Sequence, residues 1–128
     1  MLVGVGTDIV EIERVGRAYQ RPGFAERIYT ERERELIDGR ASRAAGTFAV
    51  KEAVVKALGV GFGRIQPIQI EVLRDEKGRP YTVLWNQAKE FAKELLVENI
   101  HVSISNEREY AVAFAVAETA PDDSGRDR

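Results

Sequence analysis

The chain contains no cysteine, which excludes disulfide bridges and thiolate metal sites and is compatible with a reducing cytosol, the compartment expected for it. It has a single histidine, His101, which alternates with Ser103 and Ser105 on one strand face and reads as a structural hydrogen-bonding group. No apolar run approaches the length needed to cross a bilayer. Neither sign of charge dominates: 19 basic and 21 acidic residues leave a net charge of −2. There is therefore no global electrostatic case for a nucleic-acid or membrane partner. The opening "MLVGVGTDIVEIERV" lacks a basic leader and a cleavage-site pattern, so it reads as mature structure. No internal repeat and no linker divides the sequence.

What is present suits one soluble globular domain. The 128 residues are 44% apolar and 31% charged, enough to bury a core and too apolar for a disordered chain. We place the domain at residues 1–118. The segment 119–128, "TAPDDSGRDR", has almost no apolar residue after Ala120 and is expected to be a disordered tail.

"LVGVGTDIV" reads as a strand with Val3, Val5, Thr7 and Ile9 on one face and Gly4, Gly6 and Asp8 on the other. "EIERVGRAYQ" reads as a short helix stopped near Pro22-Gly23, and its Arg14 and Arg17, with Arg21 beyond, form a local basic patch. "FAERIY" is a further helical turn. Thr30 then stands three residues before Glu33, the spacing of a capping box. A long helix is predicted from about Ser42 to Leu58, capped by Gly59 and followed by the glycine-rich "GVGFGRIQP". "IQIEVLRDEKGRPYTVLW" reads as a hairpin turning at "DEKG", with Ile68, Ile70 and Val72 alternating.

"NQAKEFAKELLVEN" reads as an amphipathic helix with Ala88, Phe91, Ala92 and Leu95 inward. "IHVSIS" and "YAVAFAVA" read as paired strands joined across Asn106 to Glu109. The last strand has an all-alanine face (Ala111, Ala113, Ala115, Ala117), which invites close approach by the alanine-rich helix. Together these elements predict an α+β fold, with helices packed on a mostly antiparallel sheet.

Within the long helix, "FAVKEAVVKALG" sets Lys51, Glu52 and Lys56 among apolar residues. Burying an unpaired charge is costly, so either these three point outward or something charged meets them. Glu52 and Lys56 are four apart and share a face. An ordinary solvated pair of this kind stabilises a helix by about 0.2–0.5 kcal/mol, but the apolar neighbours leave little room for a wet face. Asp8 is unusual in a strand, and its two glycine neighbours suggest open space beside it. It reads either as the N-cap of the helix near Glu11 or as a hard oxygen ligand for Mg²⁺, an ion that takes only one or two protein carboxylates. Neither "GVGFGR" nor "GVGTDI" has the spacing of a nucleotide-binding glycine motif.

In order, "GVGTDIVEIERV", "FAERIYTERE", "FAVKEAVVKALGVG" and "HVSISNEREYAVAFAVA" resemble the holo-acyl-carrier-protein synthases, the small bacterial type of 4′-phosphopantetheinyl transferase. The resemblance runs to about Glu118 and implies a 4′-phosphopantetheinyl transferase-like fold. It implies transfer of the 4′-phosphopantetheine arm of coenzyme A to a serine of apo-acyl carrier protein. Asp8 and Glu52 match the family's metal-ligating carboxylates, with Mg²⁺ as the cofactor, and Lys56 matches the lysine that contacts the coenzyme A phosphates. Glu52 and Lys56 are the implied catalytic pair. Gly59, Gly61, Ser105 and Asn106 fall where coenzyme A is held. Arg14, Arg21, Phe24 and Arg27 fall where the first helices meet an acidic helix of the carrier protein. A homotrimer with active sites between neighbouring subunits is implied as well.

Two positions depart from the pattern. Asn106 stands where many relatives have histidine, and Thr47 where several have arginine. Both changes remove positive charge near the bound nucleotide, so weaker coenzyme A binding is expected.

Overall fold

The alanine face of the last strand and the alanine-rich helix do meet, and they form the centre of the molecule. The computed structural model describes residues 1–121. Its elements are β1 (Leu2–Glu11), α1 (Ile12–Tyr19), α2 (Phe24–Ile28), α3 (Glu31–Ile37), α4 (Ala41–Leu58), a 3₁₀ turn (Pro67–Gln69), β2 (Ile70–Arg74), β3 (Pro80–Leu84), α5 (Asn86–Glu94), β4 (Val97–Asn106) and β5 (Tyr110–Thr119). One antiparallel sheet has the order β1-β5-β4, and β2 and β3 form a separate antiparallel pair. Thr119 closes β5, its N–H donating to the Met1 carbonyl at 2.9 Å. The remainder of the expected tail, 122–128, lies outside the described residues.

Helix α4 lies across the inner face of the sheet. Ala111, Ala113, Ala115 and Ala117 are all fully buried there. The approach is closer still at β1, where a Cβ on Gly6 would sit 1.9 Å from the Ala53 carbonyl oxygen and one on Gly4 2.0 Å from that of Ala57. Only hydrogen fits at these positions. The glycines do not leave open space beside Asp8, as their sequence pattern suggested; the backbone of α4 fills it. Val5 and Ile9, which alternate with the glycines, consequently face outward and are each 61% exposed.

Local signals explain most of the boundaries. The Thr30 hydroxyl accepts from the Glu33 N–H at 3.2 Å while the Glu33 carboxylate accepts from the Thr30 N–H at 2.8 Å, a complete capping box for α3. Gly59 ends α4 in the left-handed region at φ 77°. Helix α5 differs from expectation. It stops at Glu94, Leu96 turns the chain at φ 62°, and Val97 begins β4. Residues 97–99 pair with the end of β5 instead, because ladder bonds and the β-branched Val97 outweigh a helical pattern that is weakest at that end. Ile68 sits in the 3₁₀ turn ahead of β2, after a proline that starts it. His101 lies on the exposed face with Nε2 2.7 Å from Glu118 Oε1. Among the described residues, no helix is long and apolar enough to cross a membrane.

Candidate active site

Twelve of the 18 residues of α4 are buried, so any charge it carries must find a partner or an opening. Lys51 finds a partner. Its ammonium and the Glu33 carboxylate are both wholly buried and lie 2.8 Å apart. Burial pushes the Glu33 carboxyl up and the Lys51 ammonium down, each toward its neutral form. Their mutual attraction and hydrogen bonds oppose that drift. Glu33 also accepts from the N–H of Val72 at 2.7 Å, and Lys51 also donates to the carbonyls of Pro67 and Ile70 at 3.0 and 2.6 Å.

Glu52 and Lys56 find an opening. Asp8, in the middle of β1, projects to the same spot, and Lys56 Nζ lies 3.2 Å from Asp8 Oδ1 and 2.9 Å from the Thr7 carbonyl. Asp8 is therefore not the cap of α1. The N-cap there is Glu11, which makes no side-chain capping bond. Partial burial raises the Glu52 pKa, the negative charge of Asp8 raises it further, and Lys56 opposes both. Two carboxylates separated by 44 positions in the chain (8 to 52) thus sense each other across the strand–helix contact. Lys56 remains 54% exposed and Asp8 16%, so the spot is open to a ligand.

The oxygens gathered here are hard donors already facing a positive charge, the Lys56 ammonium. Two carboxylates with a nearby carbonyl fit a cation that completes its shell with water and substrate oxygens. They do not make a dedicated cage: among the described residues, no group of three or more His, Cys, Asp or Glu is placed to hold a metal.

Near this spot lies a largely apolar cavity of about 520 Å³ lined by Ile9, Val10, Val15, Phe24 and Phe48, with Arg14 and Glu11 at its wall. Ile9 follows Asp8, and Phe48 is one helical turn before Glu52. Arg14 also faces a smaller hollow of about 370 Å³ with Arg17 and Arg108, where Glu11, Glu13 and Glu109 are interspersed. The patch is accordingly mixed rather than purely basic; Arg17 lies 3.8 Å from Glu13. Arg21 and Arg27 are exposed nearby on α1's end and α2, with the Arg27 guanidinium folded back over Gly23.

The remaining candidates are not brought to the carboxylates within one chain. Gly59 caps α4, and Gly61 lies in the loop beyond it with open space beside its Cα. Asn106 donates to the Ser42 carbonyl at 3.2 Å, at the first turn of α4. Ser42 and Glu52 are ten positions apart along the helix, about 15 Å. Ser105 pairs in register with Val112 and through it with Ile9, on the sheet face turned away from α4. Thr47 is buried in α4.

Sequence reasoning missed two acidic residues. Glu33 was legible only as half of a capping box. Glu71, 3% exposed, gathers the Thr30 hydroxyl at 2.6 Å, Arg32 at 2.8 Å and the Trp85 indole at 3.1 Å. Its place on a strand reading as apolar-alternating was the one available sign, since a strand covered on both faces buries its polar positions too.

The chain as a whole is similar to known proteins over most of its length. Residues 4–115 match the family model of the 4′-phosphopantetheinyl transferase superfamily. The holo-[acyl-carrier-protein] synthase of Lachnoclostridium phytofermentans is 50% identical over 118 residues, 92% of this chain and 97% of that protein. The crystal structure of the Helicobacter pylori holo-[acyl-carrier-protein] synthase in complex with coenzyme A superposes with a TM-score of 0.81 at 32% identity, covering 89% of this chain and 99% of that one. That of the Bacillus anthracis synthase, in complex with CoA (3′,5′-ADP), gives 0.78 at 35% identity, with 94% and 99% covered. The chain belongs to the 4′-phosphopantetheinyl transferase superfamily, within its holo-[acyl-carrier-protein] synthase family, and is an enzyme of the transferase class.

Proposed function

We propose that this protein transfers the 4′-phosphopantetheine arm of coenzyme A to a serine hydroxyl of apo-acyl carrier protein, releasing adenosine 3′,5′-bisphosphate, in a Mg²⁺-dependent reaction in the cytoplasm. The observation that carries the reading is the convergence of Asp8 from β1 with Glu52 and Lys56 from α4 at one open spot near a largely apolar cavity.

A diphosphate repels an incoming nucleophile, and its cleavage builds charge on the departing oxygen. Asp8 and Glu52 would hold the Mg²⁺, which would supply positive charge against both effects. Lys56, whose ammonium already contacts Asp8 Oδ1 and the Thr7 carbonyl, reaches the phosphates and stabilises or protonates the departing bisphosphate. Glu52 is the candidate to take the serine proton, directly or through a water that it orients. Arg14, Arg21 and Arg27 attract the acidic face of the carrier, and Phe24 meets its apolar side chains. Opposite charge of this kind acts mainly on encounter and register.

Gly59 and Gly61 let the backbone of the 59–66 loop come close to the nucleotide. Ser105 and Asn106 serve it from a neighbouring subunit. A homotrimer with sites between protomers agrees with the exposed apolar residues on the outward sheet face, where Val5 and Ile9 are each 61% exposed and Phe114 52%.

The test is mass spectrometry of apo-acyl carrier protein incubated with coenzyme A, Mg²⁺ and this protein. The reading requires a pantetheine-sized mass increase that chelation abolishes. Binding without modification would reduce the protein to a recognition module.

A further inference from the structure

Lys51 has no part in the open cluster, yet it is the most fully buried cation among the described residues. An ion pair with Glu33 would require only a carboxylate. The ammonium goes further and donates to two backbone carbonyls, of Pro67 at 3.0 Å and Ile70 at 2.6 Å. Both belong to the segment that receives the glycine-rich loop. That loop leaves α4 at Gly59, three residues after Lys56, and returns at Pro67 to a carbonyl gripped from inside the same helix, one residue before Glu52.

Glu33 adds a second grip, accepting from the N–H groups of Thr30 and Val72 at 2.8 and 2.7 Å. The two side chains therefore join α3, α4, the loop's exit and β2. An apolar pair of equal volume is often as stabilising as a buried ion pair, but it cannot hold a carbonyl. Directionality is what the charged pair adds here.

We infer that Lys51 is a positioning residue: by clasping the Pro67 and Ile70 carbonyls to α4, with Glu33 as counter-ion, it holds the 59–66 loop at a set distance from Glu52 and Lys56. This rests on the reading of that loop and the carboxylates as the coenzyme A side of the site. A purely stabilising pair would change the melting temperature and leave substrate binding alone.

The double variant Glu33→Gln with Lys51→Met removes both charges without stranding either. It is assayed well below its own melting temperature, as a folded protein by circular dichroism. The expected result is faster hydrogen exchange across residues 60–69, and a KM for coenzyme A raised about tenfold with kcat changed less than about twofold. A folded double variant with unaltered loop exchange and KM overturns the inference.

Glu52→Gln serves as the control on the underlying reading. It should lose kcat with loop exchange unchanged, and normal kcat there would refute the site while the exchange data still judged the clasp. If the double variant does not fold, the wild type decides. The Gln69 and Ile70 amides bond to the Gln66 and Pro67 carbonyls of the 3₁₀ turn, and the clasp requires them to exchange as slowly as the middle of α4. Fast exchange at these two amides overturns it.

Discussion

Lys51 and Glu52 are neighbours in the chain, about 100° apart around α4, and their surroundings follow opposite logic. Lys51 meets four acceptor oxygens within 3.0 Å and no solvent. Glu52 is only partly buried and stands beside the like charge of Asp8, with Lys56 as a partial counterweight. The closed cluster satisfies every charge from within the protein. The open one leaves negative charge insufficiently compensated, at the surface, next to a cavity. The completeness of the partner set is what tells the two clusters apart. The first is fully answered by the protein itself, the second only in part, which is why we propose the second as the place that meets a ligand.

Single truncations should divide the two clusters cleanly. The largest effect is expected from Lys51→Ala or Glu33→Ala, each of which strands a buried charge; a loss of about 3–5 kcal/mol in urea denaturation follows. A loss below about 1 kcal/mol would show that the pair is solvated after all. Next comes Glu52→Ala, expected to lower turnover by roughly 10²-fold or more, as for loss of a preorganised transition-state contact, with folding unharmed. A near-normal rate would remove Glu52 from the chemistry.

The same residue gives a stability signature of opposite sign. Because its folded pKa lies above the ordinary carboxylate value, Glu52 favours the folded state most when protonated. That contribution is lost as pH rises through the raised pKa. Melting temperature in chelator should therefore fall over that interval, and Glu52→Gln should flatten the fall. An unchanged pH profile in the variant would mean that Asp8 and Glu52 do not feel each other.

Smaller effects are expected away from α4. Arg14→Ala should raise KM for the carrier protein several-fold at low salt, by about 1 kcal/mol, with the difference shrinking as salt is added. A salt-independent change would assign Arg14 to packing around the cavity. The smallest effect is expected for Asn106→His, which restores a possible cation but gives up the bond to the Ser42 carbonyl. Coenzyme A should bind more tightly by at most about fivefold in calorimetry, and equal affinities would dispose of the weaker-binding expectation.

Much of the scaffold was legible along the chain because its signals are local. The capping box at Thr30 and Glu33, the Gly59 cap, the "DEKG" turn and the alanine alternation of β5 each involve residues a few positions apart, and each stands in the structure as read. The end of α5 was not legible, since Val97 to Asn99 are claimed by pairing with β5. Nor was the packing beside Asp8: a glycine reports only a missing side chain, and whether a ligand or a helix backbone takes up the room depends on what folds over it. Glu52 and Lys56 could be placed on one helix face from their spacing, but Asp8 was joined to them by family resemblance and not by periodicity.

By itself, the order of residues determined where the helices begin and end, α5's end excepted, which strand faces are smooth enough for close packing, and that α4 carries more charge than a buried helix tolerates unaided. Only the tertiary structure decided which charge was answered from within and which was left open. Pairing energies depend on distance and solvent exposure, and for Lys51 with Glu33, as for Asp8 with Glu52, both are created when segments far apart in the chain come together.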